Sequence, residues 1–389
     1  MTFAASLSEH PVAASAVGEV IGDILDGIGD RPDLACLFVT APHTGALEDI
    51  ARAVETLLHP RAFIGATANA VVGGPRGVED EPGLSLFAAR LDGGLTAVRL
   101  TAEQTMDGWA VSGLDHAAAT RARTMLLLPD PFSFPVDSFL AELQRDHPHL
   151  GVVGGMASAA RGPGGNRLVL DGDLVNHGAV GVLIEDESVE VDTVVSQGCR
   201  PIGQPFIVTK AERNAIYELA GRPALDRLIE MVDGLIPDER ALAAKGLHLG
   251  VVVDEHKAFF ERGDFLIRGV LGADRETRAV VVGDEVPVGA TVQFQVRDAG
   301  TAAEDLMGLL AGHRADGALL FTCNGRGRAM FGDPHHDAAI VQDVIGPLPV
   351  AGMFCAGELG PVGGRNVVHG FTASVALFGQ AVGRRHPPP

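Results

Sequence analysis

Lysine is almost missing from this chain. Only Lys210, Lys245 and Lys257 stand among its 30 basic residues, so a Schiff-base mechanism has no evident lysine to run on. Aromatic residues are also scarce, at 5% with one Trp and one Tyr, which leaves Val, Leu, Ile and Ala to fill the core. Apolar runs such as 124–128 and 251–253 are short, and none comes near the roughly 20 residues a membrane-spanning helix needs. There is no basic run, and the net charge is −20; such a surface repels phosphate backbones and anionic lipid, so neither nucleic acid nor membrane is expected as a partner. The first 15 residues lack the basic and apolar regions of a signal peptide. Cys36, Cys199, Cys323 and Cys355 show no metal-ligand spacing, and free thiols in a reducing cytoplasm account for them. Neither GxxxxGK[ST], GxSxG, HExxH nor a strict GxGxxG after a strand occurs, and no cofactor is expected.

What is present is a packed globular composition, 46% hydrophobic and 21% charged over 389 residues, a length that calls for two domains. Three segments share one order of parts. The first has a strand at 34–40, a helix at 47–58, a glycine-bearing strand and loop at 63–74 and a strand at 83–91. The second has 124–130, 136–146, 151–162 and 178–186, and the third 317–323, 337–345, 350–364 and 370–379. The strand-to-loop distance is that of a βαβ unit, and the short apolar runs bounded by Gly or Pro read as buried strands. Ile50, Ala53, Val54 and Leu57 form the apolar stripe of the first helix. A weaker fourth echo lies at 265–298, where 277–298 parallels 166–186 as a hairpin turning at Gly-Asp followed by another strand, so the chain reads as two related halves of two units each. A helix at about 11–29 docks by Val12, Val17, Val20, Ile21 and Ile24, and the stretch 187–245 holds a strand pair at 191–203 and two helices. The expected fold is α/β: mixed sheets flanked by helices, built from repeated β-α-β-β units in two related lobes, with domains at 1–200 and 201–384 and a frayed tail at 385–389.

The richest stretch is 322–370. Its CNGRG with the following MFG, its GELGPVGG and its HGFTAS, together with YELAGRPALDRL at 217–228 and FIGATANAVVGG at 63–74, make the chain resemble the FIST family, a bacterial sensor module also found fused to F-box segments in eukaryotes. The resemblance covers nearly the whole chain. It implies an N-terminal and a C-terminal FIST-like domain and a module that senses small ligands, amino acids or their relatives. Many relatives carry kinase, cyclase or receptor output domains; none is read here, so the expectation is a stand-alone cytoplasmic sensor that signals to a separate partner protein.

The residues of these motifs suit ligand binding. In CNGRG, Gly325 and Gly327 can bring backbone N–H groups close to a guest, Asn324 offers a donor and an acceptor, and Arg326 offers a planar fork suited to a carboxylate. The alternative is a tight turn with a solvent-facing Arg. Glu358 can accept from a ligand ammonium or cap its own loop, which Gly360, Gly363 and Gly364 shape. Asn366 and His369 follow before the last strand, His369 equally a loop staple. Thr67 and Asn69 are the small polar groups of the first glycine loop, and His43 and Thr44 sit beyond the first strand, with Thr44 alternatively capping the helix. Cys323 reads as a half-buried structural thiol, or as the nucleophile of a cysteine-dependent hydrolase or transferase with His369 or His335 as base. Asp333, His335, His336 and Asp337 resemble a metal set, but neighbours on a helix point apart, and a solvated helix start is the simpler account. A ligand-free interaction scaffold is the third possibility.

Overall fold

A computed structural model describes residues 1–106, 108–185, 189–257, 259–260 and 262–380. The tail 385–389 and Asp186, the end of the second segment's last strand, lie outside these. The chain divides into two compact units that alternate in sequence: Met1–Val195 with Leu306–Val368 and the chain from Thr372 form one, Ser196–Asp305 with His369–Phe371 the other. Among the described residues no helix is long and apolar enough to cross a membrane.

The first unit is built from the three repeats, each beginning earlier than the motif pattern indicates. Repeat one runs β1 (Thr2–Ser8), α1 (Ala13–Ile28), β2 (Leu34–Thr40), α2 (Leu47–Leu58), β3 (Ala62–Ala68), the hairpin β4 (Ala70–Gly73) and β5 (Arg76–Glu79), then β6 (Leu84–Arg90). Repeat two runs β7 (Leu95–Thr105), β8 (Gly108–Ser112), α3 (His116–Arg121), β9 (Thr124–Pro129), α4 (Val136–Asp146), β10 (Gly151–Gly155), the hairpin β11 (Leu168–Leu170) and β12 (Asp173–Val175), then β13 (Ala179–Ile184). Repeat three opens with β14 (Val189–Gln197), and the second unit is inserted before it continues.

The insertion holds β15 (Cys199–Pro201), β16 (Phe206–Glu212), β17 (Ala215–Leu219), β18 (Arg222–Pro223), α5 (Ala224–Asp233), α6 (Pro237–Lys245), β19 (Leu247–Val252), β20 (Phe265–Ala273), β21 (Val280–Val282) and β22 (Thr291–Arg297). The order β22-β16-β17-β21-β20-β19, with β19 pairing back onto β22, closes an antiparallel barrel filled by Val208, Ile216, Leu249, Val280, Val282 and Phe294. The fourth echo is therefore not a repeat: after β21 the Gly283–Asp284 turn leads into no second strand at 285–290, so the expected hairpin does not form, and the strand that follows, β22, lies apart from β21 in the barrel. The expected strand pair at 191–203 also separates, because β14 joins a sheet of the first unit while β15 pairs with β22.

Repeat three resumes with α7 (Ala299–Leu310), β23 (Gly317–Cys323), α8 (Arg328–Phe331), α9 (His336–Ile345), β24 (Val350–Cys355), the hairpin β25 (Glu358–Val362) and β26 (Arg365–His369), and β27 (Thr372–Gln380). In each repeat the strand that follows the first helix pairs parallel with the next strand and antiparallel with the returning one: β2 with β3 and β6, β9 with β10 and β13, β23 with β24 and β27. The hairpins, however, are exchanged in a cycle. That of repeat one joins the sheet of repeat three, with Val71 opposite Met353. That of repeat two joins repeat one, with Leu168 opposite Ala66. That of repeat three joins repeat two, with Leu359 opposite Gly154.

One face of all three sheets meets in a shared core that includes Phe38, Phe87, Leu126, Val153, Phe321, Met353 and Phe378. The opposite faces carry helices: α1 and α2 cover repeat one, α3 and α4 cover repeat two. Strands covered on both sides read as unbroken apolar runs, which is why 34–40 and 124–129 are buried throughout. The helix faces differ slightly from the sequence reading. Leu58 is buried on α2 while Leu57 is exposed, and Val12 caps α1 in solvent.

Candidate functional site

The cyclic exchange brings the C-terminal ends of β3, β10 and β24 together. Ser158, just beyond β10, donates its N–H to Thr67 O at 3.1 Å and its hydroxyl to Phe354 O at 2.6 Å, while Asn69 N–H donates to Ser158 Oγ at 2.9 Å. Met156 N–H donates to Gly357 O and Ala356 N–H to Met156 O. The loop ends are thus stitched into one block, and the CNGRG turn is anchored there by Asn324 N–H donating to Cys355 O at 3.0 Å.

Arg326 does not face solvent. It is fully buried, and its Nε and one terminal nitrogen grip Asp337 at 2.7 and 2.8 Å. Its fork is therefore already occupied by a protein carboxylate, a correction to the expectation that the fork receives a ligand. Thr322 Oγ1 donates to Asp337 Oδ2 at 2.6 Å, and His336 Nδ1 lies 3.0 Å from Oδ1. Burial pushes the Asp337 carboxyl up, but the Arg326 charge and these hydrogen bonds outweigh it and hold it well below the usual carboxylate range. The Phe331 ring lies between, stacked on His336 at 3.4 Å and 5.2 Å from the guanidinium. Gly327 takes φ +57°, and a Cβ there would meet Glu79 Oε1 at 2.0 Å; Glu79 accepts from Arg328 N–H.

Glu358 opens β25 and is also fully buried. Its Oε2 accepts from Thr372 N–H at 3.2 Å and Thr372 Oγ1 at 2.7 Å. Burial is the dominant influence and raises its pKa to about 8, against the opposing pull of the Thr372 donors, the Arg326 charge and the Cys323 thiol. Two buried polar atoms of this cluster, Arg326 Nη1 and Glu358 Oε1, have no hydrogen-bond partner. Such groups are costly when left unsatisfied. The rim above them is the half-buried Cys323 and the exposed Asn324, with Gly325 N–H 3.5 Å from Cys323 Sγ.

The other sequence-derived residues lie on other strands and loops. Thr67 is buried and both donates to Arg167 O and accepts from Arg167 N–H. Asn69 is exposed beside the junction. Asn366 staples β26 to β10, accepting from Val152 N–H and donating to Leu150 O. Gly363 and Gly364, at φ +56° and +76°, form the two-residue turn of the β25–β26 hairpin, a conformation that needs positive φ at both positions. His369 is buried and belongs to the second unit. His43 Nε2 lies 3.1 Å from His10 O, and Thr44 Oγ1 is buried without a partner, so it does not cap α2. His335 Nδ1 accepts from Gly77 N–H. Among the described residues no group of three His, Cys, Asp or Glu is arranged to hold a metal ion.

Sequence reasoning missed Asp337 as the partner of Arg326, Thr322 as the donor to Asp337, and Thr372 as the partner of Glu358. An arginine in a glycine turn with few alternatives for neutralisation, eleven residues before an Asp at a helix start, was the available signal. It also missed a small cleft lined by Val111, Phe139, Glu142, His116 and His147, where His116 Nδ1 and His147 Nε2 are 3.1 Å apart.

Comparison with known proteins bears on this arrangement. The family model described as the FIST N domain matches residues 33–222, and that of the FIST C domain matches 224–361. An uncharacterized protein of Mycobacterium bovis is 46% identical over 378 residues, spanning 95% of this chain and 96% of its own length. An uncharacterized protein of Mycobacterium tuberculosis (strain H37Rv) is 45% identical over 387 residues, 97% of this chain and 100% of its own.

Proposed function

Because the chain belongs to the FIST family, whose domains are in general sensory modules of signal transduction, we propose that it is a cytoplasmic sensor whose ligand is an α-amino acid or a closely related small carboxylate. The observation that carries this reading is the pair of unpartnered buried groups, Arg326 Nη1 and Glu358 Oε1, under the Cys323–Asn324 rim. An amino acid presents an acceptor and a donor side by side. Its carboxylate takes the remaining Arg326 N–H, and its ammonium takes Glu358. The grip of Asp337 keeps the guanidinium in place, so the ligand meets a pre-set donor rather than a mobile side chain. Only a difference in affinity between two conformations transmits such binding to a partner protein.

Pairing with an ammonium favours the ionised carboxylate, so binding at pH 7 releases the proton that burial keeps on Glu358. The test is a thermal-shift panel of the standard amino acids and short carboxylic acids, followed by calorimetry in two buffers of different ionisation enthalpy. A ligand at one hundred times its Kd stabilises by about 2.7 kcal/mol, a readily measured shift. The expected result is a shift by at least one amino acid, with proton release that Glu358→Gln abolishes. A panel without any shift, or binding whose heat is the same in both buffers, overturns the reading.

A further inference from the structure

Cys323 and Cys355 occupy the same register on the adjacent parallel strands β23 and β24. Side chains alternate along a strand, so Cys323 shares a face with Phe321, and Cys355 with Met353; Phe321, Met353 and Cys355 pack in the same core, which puts both sulfurs on one side of the sheet. Neighbouring strands lie about 4.8 Å apart. That is within the Cα separation of about 4.4–6.8 Å that a disulfide bridges. The two thiols differ in access: Cys323 is half-buried, Cys355 fully buried. They also differ in surroundings. Cys323 Sγ lies 3.5 Å from the Gly325 N–H and within reach of both the Arg326 guanidinium and the Glu358 carboxyl, whereas Cys355 sits in the apolar core. Cys355 Sγ packs against Gly155, filling the place a Cβ there would take, and its thiol lies 3.5 Å from Met353 O, so turning it toward Cys323 exchanges only this one weak contact.

We propose that Cys323 and Cys355 form a peroxide-responsive dithiol, with Cys323 as the sulfur oxidised first and Cys355 as the resolving one. In the first step the Cys323 sulfur attacks one oxygen of a hydroperoxide such as hydrogen peroxide. An S–O bond forms, the O–O bond breaks, and the thiol proton leaves with the departing hydroxide as water, giving a sulfenic acid. In the second step the Cys355 sulfur attacks the Cys323 sulfur, the S–S bond forms and the S–O bond breaks, and the Cys355 proton leaves with that hydroxide as a second water. Two thiols are oxidised and one peroxide is reduced to two waters. The crosslink ties the start of the CNGRG turn to the end of β24, fixing the rim of the site. This proposal is independent of which ligand the site takes.

The test treats the reduced full-length chain with stoichiometric hydrogen peroxide and reads the intact mass and the unreduced tryptic peptides. The expected product has lost two hydrogens and links peptides 315–326 and 329–365. In Cys355→Ser the sulfenic acid persists and is trapped on Cys323 by dimedone, while Cys323→Ser gives neither product. Cys36, fully buried with its thiol pushed up by burial, serves as internal control, and Cys323 is expected to react at least ~10-fold faster with iodoacetamide at pH 7. Dimedone failing to label Cys323 in a Cys355→Ser chain with wild-type circular dichroism, or a disulfide joining any other pair, overturns it.

Discussion

Replacing Glu358 by Gln is the sharpest probe of the buried cluster, because it changes a charge and hardly changes a shape. The wild-type carboxyl has its pKa raised from 4.5 to about 8, principally by burial. Over that window the native protein keeps a proton that the unfolded chain has released, so stability is full below pH 4.5 and declines as pH rises through about 8. Each pH unit is worth 1.36 kcal/mol, so the decline amounts to about 3 kcal/mol by pH 7 and approaches ~5 kcal/mol at the top of the window. Glutamine cannot ionise, and its carbonyl oxygen can still accept from Thr372 N–H and Oγ1, the two donors that hold Oε2 in place. Urea unfolding followed by circular dichroism at pH 5, 6, 7 and 8 gives a stability for each protein at each pH by linear extrapolation. All other titrating groups are common to both chains, so the difference between them isolates Glu358. That difference is expected to move in favour of the variant by up to ~1.4 kcal/mol per pH unit and to flatten above pH 8. A difference that stays constant from pH 5 to pH 8 would show that the carboxyl is ionised in the native state, and the reasoning about the cluster would fail.

Two further outcomes follow from other buried groups. Asp337→Asn leaves the Arg326 charge buried against a neutral partner and is expected to destabilise by about 3–5 kcal/mol in urea unfolding, whereas Arg326→Met combined with Asp337→Leu costs less than the single change; equal costs would mean the pair is not acting as a unit. In the barrel, His248 has its pKa lowered to about 4 by burial and by the Arg297 charge, with Phe371 packed on its ring at 4.3 Å. The unfolded chain therefore gains a proton that the native one refuses as pH falls from 6.5 toward 4, so stability drops by up to ~3 kcal/mol across that range, and His248→Leu is expected to reduce this acid sensitivity when the two are compared at pH 7 and pH 5.

How much of this was legible in the sequence depends on whether the signal was local. The strands at 34–40, 124–129 and 317–323 announce themselves because they are covered on both faces and carry unbroken apolar runs between glycines and prolines. The helix after each one is equally local, and so the three-fold order of parts was readable. The exchange of hairpins was not. Each is only three to five residues per strand, and nothing in Ala70–Gly73 says that Val71 will lie opposite Met353 rather than beside its own repeat. The inserted barrel was obscured for a related reason: its strands β16 and β17 pair across a register shift, which blurs the two-residue alternation expected of a half-buried sheet.

The same contrast explains the site. The CNGRG and GELGPVGG segments were recognisable as turns, but their chemistry is decided by what lies against them. Arg326 is defined by Asp337, on a different element, and Glu358 by Thr372, at the start of the last strand. The platform beneath comes from other repeats, through Ser158 bonded to both Thr67 and Phe354. A shift of any one strand end in this junction displaces hydrogen bonds to the other two. Because packed junctions move between discrete arrangements rather than deforming smoothly, a displacement at the end of β24 is carried through these hydrogen bonds to the strand ends of repeats one and two.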